Sequence, residues 1–156
     1  MRILVFSDSH GKKDNFKKAL IDESAKEVFF LGDGLYDAIK LKDEFKNKNF
    51  HIVKGNCDIA DFQTTDIIVI NGVKIIYTHG HEFGVKSSPE ILALKAKEQG
   101  AKIALYGHTH KAKIDFINGV FVVCPGSIKP DYNGVSTYAV IDITDKGILP
   151  AVKTVK

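Results

Sequence analysis

Five short segments combine metal-type side chains with small residues: Asp8-Ser9-His10-Gly11, Gly32-Asp33-Gly34, Gly55-Asn56-Cys57-Asp58, His79-Gly80-His81 and Gly107-His108-Thr109-His110. Of the six histidines, five lie in these segments and only His51 stands apart. Histidine and aspartate donors without thiolate ligands suit Mn²⁺, Fe²⁺, Co²⁺, Ni²⁺ or Zn²⁺ at a hydrolytic centre. A structural zinc site more often draws on several cysteines. Asp8, His10, Asp33, Asn56, His79, His108 and His110 are too many ligands for one ion. They suit two ions about 3.5–4 Å apart that share one carboxylate. Asp33, flanked by glycines after the apolar run EVFFL, is the natural bridge. Such a pair of ions lowers the pKa of a bridging water, giving hydroxide at neutral pH for in-line attack on phosphorus.

The elements that must position these segments are legible from hydrophobic periodicity. Residues 2–6 (RILVF), 27–31 (EVFFL) and 50–53 (FHIV) read as buried strands, and 13–24 and 35–46 as amphipathic helices between them. This βαβαβ order predicts a parallel or mixed sheet. Residues 66–78 place two β-branched runs around Asn71-Gly72, a hairpin signal repeated at Asn118-Gly119 between KIDFI and VFVVC. A helix over 88–99 has Ser87 or Ser88 as cap, Pro89 in its first turn and Gly100 at its end. Strands follow at 102–106, 137–143 and 148–153. Each of the five chemical segments directly follows a predicted strand, where ligands gather in open α/β sheets. The helices at 13–24 and 35–46 bring N-terminal dipoles there, favourable to an anion. The expected architecture is a single α/β domain over residues 1–156, with two β-sheets face to face and helices outside.

Composition narrows the function classes. The chain has 156 residues and a formal net charge of +3, with lysines spread rather than clustered. Without a basic stripe, a nucleic-acid partner is not expected. Arg2 is the only arginine, so any phosphate must be held by metals, lysines or backbone N–H groups rather than by a guanidinium clamp. Two cysteines without a C-x-x-C motif, no signal-peptide pattern and no apolar run near 18 residues point to the cytoplasm and away from a membrane.

The ordered motifs D-S-H, G-D-G, G-N-C-D, H-G-H and G-H-T-H, with Cys124-Pro125-Gly126-Ser127 beyond them, resemble the calcineurin-like metallophosphoesterases. They are most similar to the small single-domain prokaryotic phosphodiesterase branch. The resemblance implies a four-layer α-β-β-α sandwich. It implies one metal on Asp8, His10, Asp33 and His110, and a second on Asp33, Asn56, His79 and His108, with Mn²⁺ the leading candidate. The substrate would be a small phosphodiester or an activated phosphomonoester, with Asn56 helping to stabilise charge on the phosphoryl oxygens. Many members of the family carry a histidine after the motif-three asparagine that helps protonate the leaving group. Cys57 stands there instead. His81, Asp58 or a metal-bound water would have to substitute, and His81 is the best candidate for a phosphate contact or proton donor. The alternative is a scaffold of the same fold, as in the eukaryotic retromer complex, where the metal site is degraded. All seven ligand positions are filled here, which favours an enzyme.

Several residues also admit plainer roles. Asp8 could cap the helix that follows it, and Asp58 could be a turn or capping residue. Cys57 reads as a small buried or supporting residue rather than a nucleophile, Cys124 as core, and His51 as a half-buried strand residue. Ser127 could be no more than a turn residue, and Tyr36 could rim the pocket but reads more readily as a packing residue. Exposed apolar strands in the second half could pair subunits into a homo-oligomer.

Overall fold

A computed structural model describes residues 1–155. Three strands, β1 (Arg2–Phe6), β2 (Glu27–Phe30) and β3 (Asn49–Ile52), run parallel, linked by helices α1 (Lys13–Asp22) and α2 (Leu35–Glu44). Both helices stop two residues short of their expected ends. Their last turns close on the Glu23 and Phe45 N–H groups, which donate to the Ala19 and Leu41 carbonyls. The hairpin β4 (Thr65–Ile70) and β5 (Val73–Thr78) follows, then a 3₁₀ turn at His81–Phe83 and helix α3 (Glu90–Glu98). The remaining strands are β6 (Ile103–Leu105), β7 (Lys113–Ile117), β8 (Val120–Cys124), β9 (Thr137–Thr144) and β10 (Gly147–Thr154).

These strands form two mixed five-stranded sheets, ordered β10-β9-β1-β2-β3 and β4-β5-β6-β8-β7. Alternation along each strand divides the apolar side chains among three interiors. Leu4, Phe6, Val28 and Phe30 pack outward on Phe16, Leu20 and Leu41 of α1 and α2. Ile3, Val5, Phe29 and Leu31 point the other way, onto Ile75, Ile103, Leu105 and Val123 of the second sheet. Ile76, Ala104 and Val122 turn to Leu92, Ala93 and Ala96 of α3. The layers are therefore α-β-β-α, as expected.

Helix α3 departs from its expected start. Pro89 occupies the N-cap position rather than the first turn, while the Ser88 hydroxyl accepts the Glu90 N–H at 3.2 Å. Its end is as expected. Gly100 takes φ +71°, and the Gly100 and Ala101 N–H groups donate to the Lys97 and Ala96 carbonyls, closing a Schellman motif. Among the described residues no helix is long and apolar enough to cross a membrane.

Candidate metal centre

Parallel β1, β2 and β3 end at one edge of the first sheet, and parallel β5, β6 and β8 end at an edge of the second. Every chemical segment leaves one of these ends. The sandwich aligns the two edges, and the segments meet across it: Gly107 N–H donates to His79 O, Asp8 N–H to Gly32 O and His108 N–H to Asp8 Oδ2.

All seven expected ligands converge there in two groups. In one, Asp8 Oδ1 lies 3.1 Å from His110 Nε2 and 3.8 Å from His10 Nε2, and the two imidazole nitrogens are 3.4 Å apart. In the other, His79 Nε2 lies 3.1 Å from Asn56 Oδ1, 3.2 Å from His108 Nδ1 and 3.4 Å from Asp33 Oδ2. Asp33 Oδ2 also sits 3.8 Å from His10 Nε2, between the groups. Metal–ligand bonds of about 2.1 Å place neighbouring donors about 3 Å apart. Lone pairs of paired imidazoles facing each other at this distance repel unless a cation or proton stands between them. Asp8 Oδ1 is buried with no hydrogen bond of its own. The donor set fits divalent ions.

The supporting contacts aim these atoms. His79 is fully buried and its Nδ1–H donates to the Leu31 carbonyl of the opposite sheet at 2.7 Å, which leaves Nε2 as the free donor. Asp33 Oδ1 accepts the Cys57 N–H at 2.9 Å, turning Oδ2 inward. Asp8 Oδ2 takes the His108 N–H at 3.1 Å, turning Oδ1 inward. Asp8 does not cap α1, whose N-cap is Lys12.

Backbone strain marks the same residues. Among the described residues, seven non-glycine residues have positive φ; five are Asp8, His10, Asp33, His108 and His110, and the other two are the hairpin residues Asn71 and Asn118. Such conformations cost about 1 kcal/mol or more each and persist where surrounding contacts over-determine them. Two glycines supply the room: a Cβ on Gly32 would lie 2.3 Å from Gly55 N, and one on Gly55 would lie 2.0 Å from Asp33 Oδ1.

Electrostatics follow from these contacts. Burial opposes ionisation of Asp33, but the neighbouring His79 and the Cys57 N–H outweigh it and hold the carboxyl well below its ordinary range. Burial likewise opposes a charged His79, yet Asp33 and Asp8 raise its pKa. The Asp8 carboxylate, 3.1 Å away, raises the pKa of His110. Burial and the neighbouring His79 lower His108.

The remaining candidates separate by geometry. The His81 ring lies 5.5 Å from that of His79 and 6.1 Å from that of His108, beside the donors but outside the paired contacts. Asp58 is not free to serve as an acid. Its oxygens accept the N–H groups of Asp33, Gly34, Leu35 and Gly55, pinning the start of α2 to the third segment. Cys57 is exposed rather than buried, and its hydrogen bond to Asp33 pushes the thiol pKa up. Tyr36 is exposed rather than packed, with Lys40 Nζ 4.3 Å from its ring centroid. Ser127 does more than turn the chain: its hydroxyl donates to Asp8 O at 2.9 Å. Cys124 is core, and His51 is a half-buried strand residue paired with Glu27. The lone arginine, Arg2, is paired with Asp142 on the surface. Sequence reasoning missed Asp37. It is buried on α2 and accepts hydrogen bonds from Ser9 Oγ (2.6 Å) and Gly11 N–H (2.9 Å), bracing the first segment. Its only signal was an acidic residue in the first turn of α2.

Residues 1–146 match the calcineurin-like phosphoesterase superfamily domain. The chain belongs to the calcineurin-like phosphoesterase superfamily. Within that superfamily it is 29% identical over 150 residues to the probable metallophosphoesterase YsnB of Bacillus subtilis, covering 92% of this chain and 85% of that protein. It is 27% identical over 166 residues to phosphodiesterase MJ0936 of Methanocaldococcus jannaschii, covering 94% and 95%. It is also 31% identical over 138 residues to vacuolar protein sorting-associated protein 29 of Schizosaccharomyces pombe, covering 81% and 72%. A solved structure of a predicted phosphoesterase from Streptococcus pneumoniae superposes with a TM-score of 0.82 at 29% identity, covering 98% of this chain and 88% of that one. The calcineurin-like phosphoesterase assignment thus carries both the two-sheet fold and a family habit of binding divalent metals.

Proposed function

We propose that this chain is a dinuclear-metal phosphodiesterase that hydrolyses small phosphodiesters, and activated phosphomonoesters, by in-line displacement. The observation that carries this reading is the facing of His10 Nε2 with His110 Nε2 and of His79 Nε2 with His108 Nδ1, on either side of Asp33 Oδ2. Asp8, His10, Asp33 and His110 would hold one ion, and Asp33, Asn56, His79 and His108 the other. Bound there, two divalent cations supply an acidified water and positive charge against the phosphoryl oxygens. Mn²⁺ is our leading candidate by the family resemblance, while the oxygen and imidazole donors also suit Ni²⁺, Fe²⁺, Co²⁺ or Zn²⁺.

The protein's own groups do the rest. Leu31 O and the Cys57 and His108 N–H groups hold the donors in place without reorganisation. The Asn56 amide, with Nδ2 turned toward Cys57 Sγ at 3.4 Å, contacts a phosphoryl oxygen. His81 contacts the phosphate or moves a proton to the departing oxygen. Asp58 is committed to four backbone donors and Cys57 is a protonated thiol at neutral pH, so neither is a strong acid for the leaving group. Esters with good leaving groups are therefore preferred. Two free cysteines, Cys57 and Cys124, suit a cytoplasmic setting.

The test is hydrolysis of bis(p-nitrophenyl) phosphate by metal-stripped protein after adding Mn²⁺ or Ni²⁺, with EDTA as control. Turnover should return with metal and vanish with chelator. No turnover with any divalent ion would overturn the enzyme reading in favour of a protein-interaction scaffold.

A further inference from the structure

Beside the candidate metal centre lies a cavity of about 390 Å³ bordered by Leu35, Tyr36, Ile39, Cys57, Asp58, Ile59 and Ala60. The two are continuous through Cys57. Its N–H bonds Asp33, and its Sγ lies within 4.8 Å of donor atoms of His10 and Asp33. Apart from Asp58, whose oxygens are taken up by four backbone N–H groups, the walls are mostly apolar and open to solvent: Tyr36 is 68% exposed, Ile59 fully so, and Ile39 also exposed. Scattered surface apolar residues need no explanation, but three gathered around one cavity beside polar donors do.

The wall is also held still. Asp58 ties the loop after Asn56 to the start of α2 through four N–H groups. Lys54 Nζ donates to Ala60 O at 2.6 Å, and Lys54 N–H donates to Gln63 O at 2.9 Å. Lys40, whose ammonium lies over the Tyr36 ring, stiffens the opposite wall. A solvent-facing isoleucine carried on a loop so firmly braced is a preformed apolar surface. The cleft on the other flank is mixed: His110, Lys129 and Asp131 share a space of about 540 Å³ with Pro130, Tyr132 and Val135.

We infer that the cavity between Tyr36 and Ile59 is the subsite for an aromatic or similarly apolar ester arm of the substrate, seated beside the phosphoryl group. This rests on the phosphoesterase reading and sharpens its substrate class. A volume near 390 Å³ accepts a single ring with its substituents but not a folded partner. No Lys, Arg or His lines the cavity and its one charged wall residue is Asp58, so it does not select a second anionic group.

The experiment is calorimetric binding of phenylphosphonate, methylphosphonate and inorganic phosphate to the Mn²⁺-loaded protein and to a Tyr36→Ser/Ile59→Ser variant. Both side chains are exposed, so the variant should fold as the parent does, and either single variant can be read in the same way. The parent should bind phenylphosphonate about tenfold tighter than methylphosphonate. The variant should lose that preference while its affinities for methylphosphonate and phosphate stay within about twofold. Equal affinities in the parent, or a preference that survives in the variant, would overturn the subsite while leaving the phosphoesterase reading in place. Failure of all three anions to bind the metal-loaded protein would overturn both.

Discussion

The two edges of the second sheet use the same unusual backbone for opposite ends. At one edge, the Asn71-Gly72 and Asn118-Gly119 turns put asparagines at φ +50° and +53°. At the other, His108 and His110 stand at φ +68° and +58°, and across the interface Asp8, His10 and Asp33 do likewise. At the hairpins the conformation is cheap. Asparagine tolerates it, the glycine that follows is in open space, and the turn's twist matches the strands. At the metal edge the side chains are histidine and aspartate, and neighbouring backbones are in contact. Strain there is held by Asp58, Asp37, Ser127 and Leu31 O rather than relieved. Left-handed backbone alone therefore says little about a site; the clamps around it do.

The largest expected effect that separates the edges is Asp33→Asn. It removes the charge shared by both donor groups and should lower metal-dependent ester hydrolysis by about 10³-fold or more. Near-parental turnover would sink the bridging role. The hairpin edge has no comparable residue.

Paired glycine substitutions sharpen the contrast at the next level. Gly55→Ala drives a methyl group into Asp33, whose Oδ1 and N would lie 2.0 Å and 2.5 Å away. It should cost about 3 kcal/mol in denaturant unfolding and weaken Mn²⁺ binding 10- to 100-fold by moving Asp33. Gly72→Ala meets nothing within 4 Å and strains only φ +76°. It should cost about 1 kcal/mol and leave metal affinity alone. Equal losses at the two positions would break the comparison.

A smaller effect concerns protons. His79 and His110 have raised pKa values because Asp33 and Asp8 favour their charged forms. Metal ions need neutral imidazoles, so binding must expel these protons. Mn²⁺ affinity should therefore fall as pH drops through the raised histidine values, by up to about tenfold per unit for each proton released, and level off above them. Calorimetry in buffers of different ionisation enthalpy reads the release directly. An affinity flat from about pH 6 to about pH 8 would show that the carboxylates do not hold protons on this edge.

What the chain revealed before its structure follows the same division. Periodicity and Asn-Gly turns are local, and β7 and β8 fell on the expected residues, with the helix ends off by two residues. Donor types were legible because histidines gathered at strand ends. The clamps were not, because they act across the fold. Asp37 reaches back 26 residues to Gly11, and Ser127 reaches 119 residues to Asp8. Only the exposure of Tyr36 and Cys57 differed from expectation, for a related reason: exposure of an apolar or small residue depends on which loops face each other, which no local pattern records.

The central position of β1 has a consequence for how this protein is made. Its Ile3, Leu4 and Val5 pair on one side with β2 and on the other with β9, which is antiparallel and begins at Thr137. During synthesis, one edge of β1 stays open while roughly the next 130 residues emerge. Asp8 keeps its carbonyl unclamped until Ser127 arrives. The nascent chain thus carries the first of its candidate ion donors, Asp8 and His10, long before it can arrange them. An unpaired apolar strand edge is also a template for misassembly. The last hairpin, β9 and β10, closes that edge, so assembly of the candidate metal centre waits on the C-terminal part of the fold.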